Sequence, residues 1–163
     1  MKMSDELLLL WNVVGWLLIH LGVSYLFSRM PLSWFTEPRS PFVAGLIEPS
    51  AREKLWYEEK LLVKKWKERL PDGGAWFKRG FVKRELSSRQ SDYISRFLLE
   101  TRRAEWTHWL TLALAPLFFV WNDAVADMII IVYAIAANMP FIIVQRYNRY
   151  RLRRVERSLW GRE

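Results

Sequence analysis

His20 and His108 are the only two histidines in the chain, and there is no cysteine. Disulfides, thiolate metal sites and thiol nucleophiles are therefore excluded, and two histidines without cysteine make a structural zinc site improbable. His108 has the richer surroundings, Glu100-Thr101-Arg102-Arg103-Ala104-Glu105-Trp106-Thr107-His108-Trp109. On a helix, Thr101, Glu105 and His108 share a face at i, i+4 and i+7, so the Glu105 carboxylate can hold one imidazole nitrogen while the other meets a substrate. Such an oriented base can take the proton from a hydroxyl as its oxygen attacks an acyl carbonyl. The same residues also suit an interface anchor braced by ion pairs. His20 lies inside an apolar run and reads first as a hydrogen bond within a helix bundle.

A second group follows at Ala137-Asn138-Met139-Pro140 and Gln145-Arg146-Tyr147-Asn148-Arg149. Pro140 has no N–H for the carbonyl of Ala136 and should kink a helix there; Asn138 can satisfy the freed group or reach another helix. Arg146, Arg149 and Arg151 offer planar donors for phosphate or carboxylate. A stop-transfer charge cluster would explain the arginines, but not Gln145, Tyr147 and Asn148 between them. No Walker loop, GxGxxG, GxSxG, HExxH or His-x4-Asp motif is present.

These residues need elements to position them, and 163 residues make one compact domain. The composition is 52% hydrophobic and 26% charged, distributed in blocks. Residues 7–28 contain no Asp, Glu, Lys or Arg and are long enough to cross a bilayer. They lack the basic start and small-residue cleavage site of a signal peptide, so a retained membrane helix is expected. A second apolar territory predicts helices over 106–121 and 124–145, joined at Asn122 and Asp123, which have turn and cap chemistry. The first of these is short, and a buried hairpin that does not cross is the rival reading.

Of the 25 basic residues, only Lys2 precedes the first span, 17 lie in Arg29–Arg103 and 7 in Arg146–Arg162. The positive-inside rule then sets the N-terminus outside, residues 29–105 in the cytoplasm, the turn at Asn122 outside and the basic tail, 146–163, in the cytoplasm. The fold class expected is an all-α integral membrane protein of about three transmembrane helices, multi-pass in a bacterial cell membrane. Cytoplasmic amphipathic helices accompany the spans. Span-flanking basic charge is explained by topology and anionic lipid, so no nucleic-acid partner is expected. Ser50 and Glu53 form a capping box for an amphipathic helix of about 20 residues that ends before Pro71-Asp72-Gly73-Gly74. Its apolar face includes Leu55, Leu62, Trp66 and Leu70, flanked by Lys60, Lys64, Lys67 and Arg69, a pattern that suits the inner leaflet. A further helix from about Ser91 should run on into the second apolar segment.

Three blocks carry a resemblance. They are Val63-Lys64-Lys65-Trp66-Lys67 with Leu70-Pro71-Asp72-Gly73; Glu100-Thr101-x-Arg103-Ala104-Glu105-x-x-His108-Trp109; and Tyr133-Ala134-x-x-Ala137-Asn138-x-Pro140 continuing through Ile142 to Arg149. In these the chain resembles the glycosyl-4,4'-diaponeurosporenoate acyltransferases of carotenoid biosynthesis in Gram-positive bacteria. Tyr150 departs from the pattern, standing where proline is expected. The resemblance implies an acyltransferase that moves a fatty acyl chain to the glucose C6 hydroxyl of a glycosylated C30 carotenoid, towards staphyloxanthin-like pigments. It implies no metal and no bound cofactor. The partners are membrane lipid, the glycosylated carotenoid or a similar glycolipid, and an acyl donor: acyl-CoA, acyl carrier protein or a lipid. His108 and Glu105 are the candidate catalytic residues. Arg103, Trp109, Asn138, Gln145, Arg146, Asn148, Arg149, Lys64 and Lys67 are the candidate substrate-binding residues. The alternative is a non-enzymatic glycolipid-binding or scaffold protein of pigment synthesis.

Overall fold

The computed structural model describes residues 4–36, 56–70 and 91–160, and these contain helices, turns and no strand. Helix α1 (Asp5–Arg29) starts at Ser4, whose hydroxyl accepts from the Leu7 N–H at 3.4 Å. Asp5 and Glu6 occupy its first turn and Arg29 its last, each favourable to the helix dipole. Its apolar residues surround the whole circumference. Only Trp16, Val23 and Phe27 are buried, while Leu9, Leu10, Leu17, Leu18 and Leu21 are mostly exposed.

The amphipathic segment does not form one helix over the part described. Residues Trp56–Lys60 make a π-helical turn, Leu62 takes a left-handed conformation (φ 49°), and α2 (Val63–Trp66) follows with a 3-10 turn at Lys67–Arg69. The reason lies in tertiary packing. Tyr57 and Val63 are six residues apart, which on a continuous helix would turn them roughly 120° from each other; the break lets both pack against Tyr147. The Trp66 indole N–H closes the break by donating to the Leu61 carbonyl at 2.8 Å. The capping box at Ser50 and Glu53 lies outside the described residues.

Helix α3 (Ser91–Ala113) runs continuously from amphipathic sequence into the apolar segment, as expected. The single helix expected over 106–121 does not persist. Pro116 lacks an N–H for the carbonyl of Leu112 and its ring crowds that carbonyl, so the chain continues as a 3-10 helix, Ala115–Val120. Asn122 and Asp123 make the turn, and Asp123 Oδ1 accepts from the N–H groups of Val125 (3.1 Å) and Ala126 (2.9 Å). This caps α4 (Ala124–Trp160), whose 37 residues continue through Pro140 and the arginine-rich tail. Among the described residues, α1 and α4 are the two helices long and apolar enough to cross a membrane. Much of their apolar surface faces outward, a feature suited to lipid contact.

α3 and α4 form an antiparallel hairpin on which α1 lies. Trp16 stacks on Phe118 with centroids 4.8 Å apart and meets Tyr133 edge-on at 5.1 Å, beside buried Ala115, Ile130 and Ala134. Gly15 permits this approach, because a Cβ there would stand 2.9 Å from the Phe118 ring. At the turn, Asn12 and Asn122 exchange two 2.9 Å amide hydrogen bonds, and Trp121 donates to Asn12 at 2.9 Å. At the other end Phe27 packs on Phe35, whose carbonyl accepts from Arg102 of α3 at 3.2 Å.

Candidate functional site

The antiparallel pairing of α3 with α4 brings the two sequence groups together. Glu105, 4% exposed, receives Arg146 Nε at 2.8 Å and Trp109 Nε1 at 3.2 Å on one oxygen, and the Arg149 guanidinium on the other. Arg149 is fully buried, whereas the Arg146 side chain keeps 27% of its surface. Arg149 therefore anchors the carboxylate from within, and Arg146 is the arginine a ligand can reach. A buried carboxylate with two guanidinium partners is stable only while the set is complete, since either sign left alone would bear the full cost of desolvation.

His108 is half-buried and stacks on Phe141, with centroids 4.7 Å apart and planes 11° from parallel. The expected orientation by Glu105 is replaced by one from the opposite helix: His108 Nδ1 lies 3.0 Å from Asn138 Oδ1. Asn138 is itself fixed, because its Nδ2 donates to the Ala134 carbonyl at 2.9 Å and so turns Oδ1 towards the imidazole. An amide oxygen only accepts, so Nδ1 carries the proton in this pair and the lone pair of neutral His108 is on Nε2. Glu105 lies on the same helix face one turn back, as the spacing requires, but its charge is committed to the arginines.

The remaining candidates divide. Gln145 is buried on the α4 face that carries Asn138 and Arg149, and its Oε1 has no hydrogen-bond partner among the described residues. Arg103 pairs at 2.6 Å with Glu100, a carboxylate 1% exposed, on α3. Asn148 is half-buried on α4.

Lys64 and Lys67 belong to a separate group around Tyr147. Lys64 pairs with Glu58 at 3.0 Å, Glu58 accepts from the Tyr147 hydroxyl at 3.3 Å, and Lys67 and Arg151 each stand 5.9 Å from the Tyr147 ring centre. Burial, with the nearby Arg151 and Lys64 cations, lowers the Lys67 ammonium from its ordinary pKa, partly offset by Glu68. This is a concentration of cations suited to an anionic group. Sequence reasoning missed Phe141 and Glu58 as members of these clusters, whereas Arg151 was singled out there as a donor for phosphate or carboxylate. Phe141 had one available signal, its position three residues after Asn138. Among the described residues no three His, Asp or Glu side chains converge as metal ligands do.

Residues 31–158 match the family model described as glycosyl-4,4'-diaponeurosporenoate acyltransferase. The chain belongs to this family. Curated relatives of that name include one from Staphylococcus aureus strain bovine RF122 / ET3-1, 35% identical over 144 residues, which covers 88% of this chain and 85% of the relative. Another, from strain N315, is 34% identical over the same coverage. No solved structure matches. The family match contains both the His108–Asn138 pair and the Glu105–Arg146–Arg149 cluster, so the two belong to the part of the chain shared with its relatives.

Proposed function

We propose that the protein is a membrane acyltransferase that moves a fatty acyl chain to the glucose C6 hydroxyl of a glycosylated C30 carotenoid or closely similar glycolipid. Its N-terminus lies outside the cell and its site at the cytoplasmic side of the bacterial membrane. The end of α3 and the following 3-10 helix serve as the second of three spans, between α1 and α4. One observation supports the chemistry above the others. Asn138 sets the tautomer of His108, leaving Nε2 as the basic atom beside a charged cluster in a chain whose relatives carry an acyltransferase name.

In this reading the sugar hydroxyl donates its proton to His108 Nε2 as its oxygen bonds to the donor's acyl carbon. The carbonyl π electrons move to oxygen, and Arg146 stabilises the developing oxyanion while Glu105 and Arg149 hold Arg146 in place. Collapse of the tetrahedral intermediate re-forms the carbonyl and breaks the bond to the leaving thiolate or alkoxide, which takes the proton from His108. The new sugar ester and the deacylated donor are the products, and the histidine returns to its starting state. The Lys64, Lys67 and Arg151 group receives the donor's phosphate or carboxylate, whether the donor is acyl-CoA, acyl carrier protein or a lipid. No bound cofactor enters this reaction.

The test is reconstitution in lipid with a glycosyl carotenoid ester and a fatty acyl thioester, followed by product mass. A gain of one acyl chain, reduced at least about 100-fold by His108→Ala in folded protein, is expected. Full turnover by that variant would remove His108 from the mechanism, and glycolipid binding without turnover by any donor would favour a scaffold.

A further inference from the structure

α1 leans on α3 and on the Ala115–Val120 helix through Gly15, Trp16, Val23 and Phe27, and a groove opens between it and α4. The groove holds about 480 Å³, within the usual range of small-molecule sites. Asn12, Trp16 and His20 form part of the α1 wall, and Ile129, Ile130 and Tyr133 part of the α4 wall. Most of this lining is apolar. Asn12 is engaged with Asn122 and Trp121. His20 differs: its Nε2 atom is buried and has no hydrogen-bond partner among the described residues. A buried nitrogen of this kind in an apolar wall is costly unless something meets it.

Depth relates this groove to the catalytic pair. Asn12 and Asn122 are hydrogen-bonded and mark one level. His20 lies eight residues further along α1, about 12 Å inward, and Asn138 lies 14 residues into α4, about 21 Å inward. His20 is thus about 9 Å nearer the outer turn than the His108–Asn138 pair. Along α4, Tyr133, Ala137 and Phe141 follow at steps of four residues, leading from the groove wall to the ring on which His108 stacks. A sugar ring, with a hydrogen bond at each end, suits a step of this size.

We infer that the groove between α1 and α4 is the subsite for the acceptor's apolar chain, and that the His20 imidazole N–H turns to donate to the ester carbonyl joining that chain to the sugar. The inference rests on the proposed acyl transfer for the identity of the occupant. With the reacting hydroxyl at His108, the linking ester lies one sugar ring outward, at the level of His20, and the chain continues along the groove towards Asn12. His20 is then a specificity-determining residue that favours glycosyl esters over glycosyl ethers, because an ether lacks the carbonyl acceptor.

The experiment compares the glucosyl ester of a C30 polyene acid with an ether-linked glucoside of matching apolar chain, using the full protein in lipid. Turnover and binding are both measured, the latter by retention of the glycolipid. His20→Phe should reduce the wild-type preference for ester over ether about tenfold, the scale of one hydrogen bond, and His20→Gln should restore part of it. Ile129→Trp, at an exposed position on the groove wall, should weaken retention of both glycolipids. An unchanged ester-to-ether ratio in folded His20→Phe would overturn the His20 contact, and unchanged retention in Ile129→Trp would overturn the groove. If wild type acylates neither compound but Ile129→Trp still loses retention, the subsite stands and the acyl-transfer reading fails.

Discussion

At the scale of single residues, the important pairing joins side chains 30 positions apart, His108 and Asn138. Replacing Asn138 with Leu removes the acceptor that holds the proton on Nδ1 and lets the imidazole populate the other tautomer. Turnover should fall by about 10- to 100-fold with a much smaller change in KM, since the loss concerns proton transfer more than binding. Steady-state kinetics on the reconstituted variant check this, and an unchanged kcat would refute the role. Glu105→Ala acts differently. It strips a buried carboxylate from Arg146 and from fully buried Arg149, and should destabilise the protein by roughly 3 kcal/mol or more. A thermal melt in detergent measures that loss independently of activity.

Part of this chemistry was legible in the sequence. Glu105 and His108 do share a helix face, because that follows from spacing alone. Their partners were not legible, because Arg146 and Arg149 lie 41 and 44 residues beyond Glu105 and reach it only through the register of the hairpin. An i, i+3 or i+4 pattern ranks local partners first; a buried carboxylate is claimed by whichever cations the tertiary fold delivers.

At the scale of elements, local signals held where local chemistry decides. The charge-free run became α1, and Asp123 caps α4 with its own carboxylate. They failed where packing or one proline decides, at the Leu62 break beneath Tyr147 and at the switch to 3-10 geometry around Pro116. The Leu62 conformation is unfavourable for a side-chain-bearing residue by about 1–2 kcal/mol, and its side chain is 41% exposed. Leu62→Gly should therefore leave α2 docked and stabilise that docking slightly, which limited proteolysis would detect as slower cleavage over residues 56–70. Gly15→Ala should have the opposite effect. Its methyl group would meet the fully buried Phe118 ring at 2.9 Å, and overpacking of this kind costs about 1–3 kcal/mol.

The docked α2 segment also carries a pH dependence. Lys67 has a lowered pKa when folded, so between that value and the ordinary lysine value near 10.4 the unfolded segment binds more protons than the folded one. Docking should strengthen as pH rises through this window and be weaker, with no further dependence on this group, below it. Lys67→Met should flatten the response, and hydrogen exchange across residues 56–70 at several pH values tests this sign.

For the whole molecule, the absence of cysteine makes topology directly measurable. A single cysteine at Val125, beside the outer turn, should react with a membrane-impermeant thiol reagent added outside intact cells. One at Ser158, near the end of α4, should react only after the cells are opened. Labelling of both from the same side would overturn the proposed orientation, and with it the placement of the site at the inner face.

α4 is one uninterrupted helix of 37 residues, and it bears one wall of the groove, the asparagine behind His108, both arginines and the tyrosine that packs against α2. These features are therefore locked in angular phase as well as in depth. Each inserted residue would rotate everything beyond it by about 100° and advance it by about 1.5 Å. One alanine inserted after Ile135 would swing Asn138, Arg146 and Arg149 away from α3 together while leaving the groove wall in place. Seven inserted residues, nearly two full turns, would restore the facing side chains but displace them along the axis by about 10 Å. The helix thus behaves as a camshaft, in which the timing between binding and chemistry is cut into a single rod.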